Sequence, residues 1–227
     1  MNAVIFYSAT GQSAAVAEYF AKRLGFPIVE IKEAAGKEYE NAVLVFPVHC
    51  QNLPDAVKDF LKDVNIQNLT AIATYGKMCP GNLLFELKNT FEMNLVAGAY
   101  IPTKHSYIED DTAFCEFERL EPIFAKILSP SPINPPRLYK NPIADLFPKL
   151  RSRLGLRICR DSSCTDCGAC TEICRFGGIK NGVTNRKCIR CLECVASCPN
   201  KALSFKARLP LRIYLRKKKI NDTIIYV

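Results

Sequence analysis

AVIFYSATGQSAAVAEYFAKRL, residues 3–24, changes its apolar period once, and that change decides the fold. Ala3–Phe6 is a short apolar run of the kind a buried strand makes. From Ser13 to Leu24 the apolar residues Ala14, Val16, Ala17, Phe20, Ala21 and Leu24 fall at helical spacing. The same alternation continues along the chain. Pro27–Ile31 and Ala42–Phe46 read as strands two and three, and Asp55–Leu61 as a helix with Pro54 near its start. Leu69–Thr74 reads as strand four, Asn82–Phe91 as a helix, Leu95–Ile101 as strand five and Thr112–Leu128 as a closing helix. Strands that alternate with helices imply a parallel sheet covered on both faces, an α/β fold. Right-handed crossovers then make the doubly wound order 2-1-3-4-5 the leading topology for five strands.

The turn inside the opening stretch, Ser8-Ala9-Thr10-Gly11-Gln12-Ser13, carries chemistry as well as geometry. It lacks the G-K-[ST] of a nucleotide-binding P-loop and is not G-x-G-x-x-G. Three hydroxyls and a glycine around a helix N-terminus suit one phosphate monoester, which backbone N–H groups can hold without Lys or Arg. Ser13 or Thr10 could equally serve as the helix N-cap, and the two roles use the same groups.

Ser129–Pro148 interrupts the alternation with six prolines, which fits a semi-stiff extended spacer, with Ile143–Phe147 a possible helical turn within it. Charge changes there too. Residues 1–128 carry 11 Lys and Arg against 16 Asp and Glu, a net of −5, and the remaining 99 residues carry 20 against 6, a net of +14. Two modules with different surfaces are expected: 1–128, then a Pro-rich and basic linker over 129–158, a cysteine module over 159–205, and a basic tail over 206–227. Alternation around Arg212-Ile213-Tyr214-Leu215-Arg216 suggests a strand with cations on one side.

Eight of the twelve cysteines form a ladder written twice. Cys164, Cys167, Cys170 and Cys174 read C-x2-C-x2-C-x3-C, and adding 24 gives Cys188, Cys191, Cys194 and Cys198, followed by Pro199. Four thiolates at this spacing suit the four irons of a [4Fe–4S] cube, and zinc sites more often use two separated pairs. The N-terminal Met1-Asn2-Ala3-Val4-Ile5-Phe6 has no basic start and no cleavage site, so a reducing cytoplasm is the expected setting rather than a secreted disulfide scaffold. No run of about 18 apolar residues appears, so no membrane span is expected. Two histidines, His49 and His105, argue against His-rich metal sites and most His-based acid–base enzymes. Cys159 reads as a small buried hydrophobe.

The cysteine module resembles bacterial two-cluster ferredoxins, with Cys198-Pro199 matching their C-P ending and Ile179 and Leu203 at apolar strand positions. In such proteins the fourth cysteine of each run serves the other cube. The resemblance therefore implies cluster one on Cys164, Cys167, Cys170 and Cys198, and cluster two on Cys188, Cys191, Cys194 and Cys174. Arg175 stands where a proline would follow Cys174, and a cation there would raise the potential of cluster two. The 8–13 loop resembles the [ST]-x-T-G-x-[ST] phosphate loop of flavodoxins, which bind FMN. That resemblance covers residues 1–128 and implies ring contacts from the loops after strands three and four: Pro47, Val48, His49 and Cys50, then Tyr75, Gly76, Lys77 and Gly81. His49 and Tyr75 are the candidates to stack on the ring, and the glycines would let backbone approach it. Cys50 and Cys79 face one another in this reading as idle thiols more readily than as a redox pair.

As a whole, the chain resembles the flavodoxin–ferredoxin fusions of anaerobic bacteria and archaea: a flavodoxin-like doubly wound sheet followed by a small α+β ferredoxin domain. The resemblance implies an electron carrier that passes single electrons between FMN and two [4Fe–4S] clusters and on to a redox partner protein. No catalytic residue, nucleic acid or membrane partner is expected, and a homodimer is allowed. Arg208, Arg212, Arg216, Lys217, Lys218 and Lys219 would dock an acidic partner. Two other readings stay open: a flavin-dependent reductase of a quinone or nitro compound, and a redox sensor whose flavodoxin-like domain is empty.

Overall fold

The computed structural model describes all residues except 109–113, 143, 146–147 and 217–218. In chain order the elements are β1 (Asn2–Phe6), α1 (Gln12–Leu24), β2 (Ile28–Glu30), α2 (Ile31–Ala34), β3 (Glu38–Pro47), α3 (Asp55–Asp63), β4 (Asn65–Tyr75), α4 (Leu83–Asn89), β5 (Leu95–Pro102) and α5 (Glu121–Leu128). There follow α6 (Pro148–Gly155), β6 (Leu156–Arg160), α7 (Ala169–Glu172), β7 (Ile179–Lys180), β8 (Val183–Thr184), α8 (Glu193–Ala196), β9 (Leu203–Ala207), α9 (Leu209–Leu215) and β10 (Ile224–Tyr226). They form two compact units, residues 1–144 with 219–227, and residues 145–218.

The first unit is a mixed α/β body built on a parallel-rich sheet. Its strands lie in the order β10-β5-β4-β3-β1-β2. All pairs are parallel except β10 with β5, where Ile224 sits opposite Tyr100 and Tyr226 opposite Gly98. The apolar run of β1 is buried from Ala3 to Ile5 because helices and loops cover both sheet faces. On one face Val4, Val45 and Ile72 meet Val16 and Phe20 of α1 and Ile123 and Phe124 of α5. Each such side chain contributes about 1.5–3 kcal/mol when fully removed from water.

At the amino ends of the strands, an amide ladder crosses the sheet. Asn41 Nδ2 donates to Asn2 Oδ1 (3.1 Å), Asn68 Nδ2 to Asn41 Oδ1 (3.1 Å), and Asn94 Nδ2 to Asn68 Oδ1 (3.1 Å). The parallel register aligns Asn2, Asn41 and Asn68, so each amide meets the next without bending the backbone.

Several sequence expectations change. The basic tail is not a separate segment with a strand at 212–216: residues 209–215 are the helix α9, and the chain end returns to the first unit as β10. Pro210 in the first turn of α9 suits a helix start, and Ile224-Ile225-Tyr226 has the β-branched and aromatic character that shields the free edge of β5. The spacer is not wholly detached, because Ile133 N donates to Leu95 O (2.8 Å) and Ala144 is fully buried. The closing helix is shorter than expected, a 3-10 turn at Phe117–Leu120 leading into α5; residues 112–113 of that expectation lie outside the described residues. So do most of the expected turn at Ile143–Phe147 and the cations Lys217 and Lys218.

In the second unit β6 pairs antiparallel with β9, and β7 with β8. The internal repeat is present in the backbone as well as in the cysteines. Asp166 and Arg190, Gly168 and Leu192, and Gly177 and Lys201 are each separated by 24 residues, and all six have positive φ. Gly168 and Leu192 are the N-caps of α7 and α8. Leucine there adopts a left-handed conformation that costs an L-residue about 1–2 kcal/mol. Among the described residues no helix is long and apolar enough to cross a membrane.

Candidate functional site

The two ladders come together in the second unit. Cys164, Cys167 and Cys170 of the first ladder line one hollow with Cys198 of the second, an open-mouthed space of about 320 Å³ including the solvent at its mouth. Asp166, Asn181 and Pro199 complete much of its wall. Among the described residues, no three His, Cys, Asp or Glu side chains converge on one point as a single metal ion would need; these thiols surround a space instead.

The other four cysteines share a second neighbourhood. Burial pushes the Cys194 thiol up to about 12, with Cys191, Cys188, Cys174 and Cys170 adding to the effect. Burial also raises Cys191, followed by Cys188 and Cys174. Thiols this buried and this close to one another resist losing their protons unless a bound metal takes up the negative charge. Gly178 fixes the crossing point: a Cβ there would lie 2.6 Å from Cys188 Cα. Its N–H donates to Cys174 Sγ (3.1 Å), and Gly182 N–H donates to Cys170 Sγ (3.2 Å). Arg160 donates to Asp166 (2.7 Å) and to Asn181 O (2.7 Å); the Asp166 bond holds its guanidinium protonated, with Cys164 and Cys170 adding to the effect. Arg175 is exposed. Cys159 is half-buried in β6.

In the first unit the candidate residues lie at the carboxyl ends of the parallel strands, where open α/β sheets bind ligands. Gly11 is the N-cap of α1 with φ +77, and no side chain among the described residues caps that end. A Cβ on Gly11 would meet nothing within 4 Å, so its surroundings are open. Ser8 is buried beneath, and Ala9, Thr10 and Gln12 are partly accessible. Ser13 departs from the expectation: its hydroxyl is bonded to Thr74 Oγ1 at 2.8 Å inside the protein, so it neither caps α1 nor faces outward. This loop fits a phosphate through backbone N–H groups, with fewer hydroxyls than the sequence suggested.

The two loops expected around a ring touch one another. His49 and Asn52 exchange backbone hydrogen bonds (3.0 and 2.9 Å), and Cys50 and Gln51 between them both have positive φ, 51° and 68°. Two-residue turns of this type usually carry Asn-Gly, so Cys50-Gln51 stores strain here. Gly81, φ +73, lies against the turn: a Cβ would come within 2.6 Å of Gln51 O. Gly76 likewise abuts His105, whose ring would lie 2.7 Å from a Cβ. Pro47 ends β3, Val48 N donates to Thr74 O (2.7 Å), and Lys77, φ 53, is buried. His49 is partly accessible but ringed by protein, its ring edge-on to Tyr7 at 6.1 Å. That burial pushes its imidazole down to about 4, against the pull of the Asp55 carboxylate.

Tyr75 is the clearest correction. It was the second candidate to stack on a ring, but it is 2% exposed and its hydroxyl donates to Asp222 O (2.6 Å) and Ile220 O (3.3 Å) of the returning tail. Residues 139–141 and 144 add another layer at this end of the sheet. Cys79 Sγ donates to Tyr139 O (3.6 Å), Lys140 pairs with Glu86 (2.6 Å), Gln51 Oε1 accepts from Asn141 N (2.7 Å), and Asn52 Nδ2 donates to Ala144 O (2.8 Å). Cys50 is exposed and Cys79 half-buried. Asn82, next to Gly81, keeps its amide oxygen buried with no hydrogen-bond partner among the described residues. A bound N–H donor would satisfy that acceptor. No single residue type in the sequence signalled the layer formed by 139–141 and 144; only a cluster of polar residues at 139–141 among the prolines hinted at it.

Residues 183–204 match the family described as 4Fe-4S binding domain, a window that holds Cys188, Cys191, Cys194 and Cys198. The second unit therefore holds a 4Fe–4S binding domain, and iron–sulfur electron transfer is the chemistry it implies. No curated protein matches the chain. Among solved structures, a candidate flavoprotein from Bacteroides uniformis aligns at 16% identity and a TM-score of 0.40, over 46% of this chain and 91% of that one. A likeness at that level carries no argument about fold or ligand.

Proposed function

We propose that the chain is an electron carrier with two [4Fe–4S] clusters in its second unit and FMN in its first, a flavodoxin-like domain joined to a two-cluster ferredoxin domain. The observation that carries the cluster assignment is the exchange between ladders. Cys198 lines a hollow with Cys164, Cys167 and Cys170; Cys174 lies near both Cys191 and Cys194, beside Cys188, whereas Cys170 lies near Cys194 alone of these two. When bound, each cube takes up or releases one electron, and a flavin one or two.

The protein's own groups set the conditions for that chemistry. The eight thiolates hold the iron. The N–H groups of Gly178 and Gly182 donate to ligand sulfurs, which stabilises the more negative, reduced state and raises the potential. In the first unit the uncapped end of α1 and the open space at Gly11 suit a phosphate, and the Asn82 oxygen awaits a donor. The ring contacts fit less well, because Tyr75 is bound to the tail. The remaining wall is then His49, the Cys50-Gln51 turn and Gly81. Burial pushes the His49 imidazole down to about 4, so it is neutral at pH 7. The partner is a redox protein with an acidic docking surface.

Anaerobic purification followed by iron, sulfide and flavin analysis tests the reading. About eight irons and one FMN per chain support it whole. About eight irons and no affinity for added FMN remove the flavin half, and zinc in place of iron removes the cluster half.

A further inference from the structure

We propose that α6 and α9 together form the face on which an acidic redox protein docks, at the end of the second unit nearest the second cysteine ladder. The proposal rests on the reading that this ladder carries a cluster. It specifies what the sequence could not: which surface, which end of the module, and an apolar centre within the charge.

The topology puts the two helices side by side. α6 runs directly into β6, and β9 runs through Arg208 into α9. Because β6 and β9 are antiparallel, with Leu156 opposite Ala207, both helices emerge at the same end of the ladder. Arg208 N donates to Gly155 O (2.8 Å), and the Leu211 side chain lies 3.4 Å from where a Cβ on Gly155 would be. Glycine at 155 thus lets α9 approach closely.

Leu211 turns inward, and its neighbours on α9 do not. Leu209 is 67% exposed and Ile213 56%, and Leu154 on α6 is 55% exposed. Three large aliphatic side chains this exposed on two touching helices leave an apolar patch uncovered. Arg208, Arg212 and Arg216 recur every four residues, so they form one stripe along α9 beside Leu209 and Ile213. On the strands that lead into the helices, Arg157 and Lys206 are directly opposite one another, and both are exposed. Like charges opposed across a ladder are destabilising unless a third group offsets them. No Asp or Glu occurs in residues 146–160 or 194–221, so these segments carry no acidic side chain of their own.

An apolar centre with a cationic rim is complementary to a protein surface that is acidic around a small apolar patch. A lipid surface fits less well. α9 has seven residues, and the chain has no Trp to anchor it at a bilayer interface. The position also favours an electron-transfer partner. Arg190, between the ligands Cys188 and Cys191, donates to Leu156 O (3.2 Å), and Arg153 of α6 donates to Arg186 O, two residues before Cys188. The helix pair is thus fastened to the loop of the second ladder, whereas the opposite end of β6, through Asp161 N to Ala202 O, leads to Cys164 and Cys198.

The test uses the full chain after anaerobic purification, with an acidic plant-type [2Fe–2S] ferredoxin as probe. Its affinity is measured by calorimetry at low and high salt, and its footprint by hydrogen exchange. The expected result is binding that weakens with salt, with protection on α9. A chain carrying Arg208→Gln, Arg212→Gln and Arg216→Gln should bind at least about tenfold more weakly. Leu209→Ser with Ile213→Ser should also weaken binding but keep the salt slope. These side chains are exposed, and an unchanged iron content and cluster absorbance would verify that the variants fold. Parent-like affinity in both variants, or a footprint confined to the first unit, overturns the proposal. So does retention on vesicles containing phosphatidylglycerol that displaces the probe, because the face is then a lipid site. Iron analysis separates the two readings: an iron-free chain that still binds the probe through α9 loses the clusters and keeps the surface, and an iron-loaded chain that ignores the probe does the reverse.

Discussion

The hydroxyl of Tyr75 donates to the carbonyl oxygen of Asp222 at 2.6 Å, closing a loop of 147 residues that contains the whole iron–sulfur module. This bond ends β4 against the returning tail, just before β10 joins the sheet. Tyr75→Phe should therefore lower the stability of the first unit by about 1–2 kcal/mol and speed hydrogen exchange at Ile224–Tyr226. FMN affinity should change little, because the ring of Tyr75 is buried away from solvent. Burial raises the Tyr75 hydroxyl above its usual 10, followed by Asp222 and Cys79. Its stabilising contribution is then complete below about pH 10 and is lost as pH rises above that value. Thermal melts above pH 10 should fall more steeply in the parent than in the Phe variant.

His49 gives the opposite pH dependence. Its imidazole is pushed from 6.5 down to about 4 by burial, so the folded state favours the neutral form. Stability from this group is present above pH 6.5 and declines as pH falls toward 4. His49→Gln should flatten the melting temperature between pH 6.5 and 4, whatever its effect at pH 7. A parent and variant that lose stability in parallel over that range would exclude His49 as the source.

The alternation of elements and the cysteine ladders were legible because each is a periodic signal. Ala3–Phe6 followed by Ala14 to Leu24 has the switch in period of a strand leading into a helix, and a ladder repeated at 24 residues leaves no second register. What was not legible depends on partners far away in sequence. Tyr75 looked available because its acceptor lies 147 residues ahead. Ser13 looked like a cap because Thr74, which takes its hydroxyl, is 61 residues away. The stretch 212–216 alternates like a strand, but Pro210 starts a helix and Leu211 packs at Gly155, so tertiary contact overrode a two-residue period. The asparagine ladder was invisible for the same reason: four separate asparagines become one feature only when the register aligns them.

That ladder can be broken at its centre. Asn41 both donates to Asn2 and accepts from Asn68, so Asn41→Ala deprives Asn68 Nδ2 of this acceptor and leaves Asn2 Oδ1 only the Asn41 backbone N–H (3.3 Å) of its two donors on Asn41. The expected cost is about 1–3 kcal/mol, seen as a lower urea midpoint with an unchanged m-value. Because the ladder lies at the amino ends of the strands, flavin affinity should be unaffected. Equal urea midpoints for the parent and Asn41→Ala would mean that water replaces these amides without loss.

Gly178 provides the sharpest test of how the two ladders are joined. A methyl group at this position would lie 2.6 Å from Cys188 Cα and 2.8 Å from its nitrogen, and backbone atoms cannot turn aside as a side chain can. The same substitution would disturb the N–H that donates to Cys174 Sγ. If Cys174 shares a cluster with Cys188, Cys191 and Cys194 as proposed, Gly178→Ala should therefore cost that cluster, reducing iron from about eight to about four per chain. Cys174→Ser should have the same effect on iron. Gly168→Ala provides the contrast: its Cβ would meet nothing within 4 Å, and the strain at φ +82 is about 1–2 kcal/mol. That variant should keep both clusters and melt only a few degrees lower. If Gly178→Ala instead retains all its iron, or if Cys174→Ser empties the hollow lined by Cys164, Cys167 and Cys170, each ladder closes its own cube and the exchange of fourth ligands is wrong.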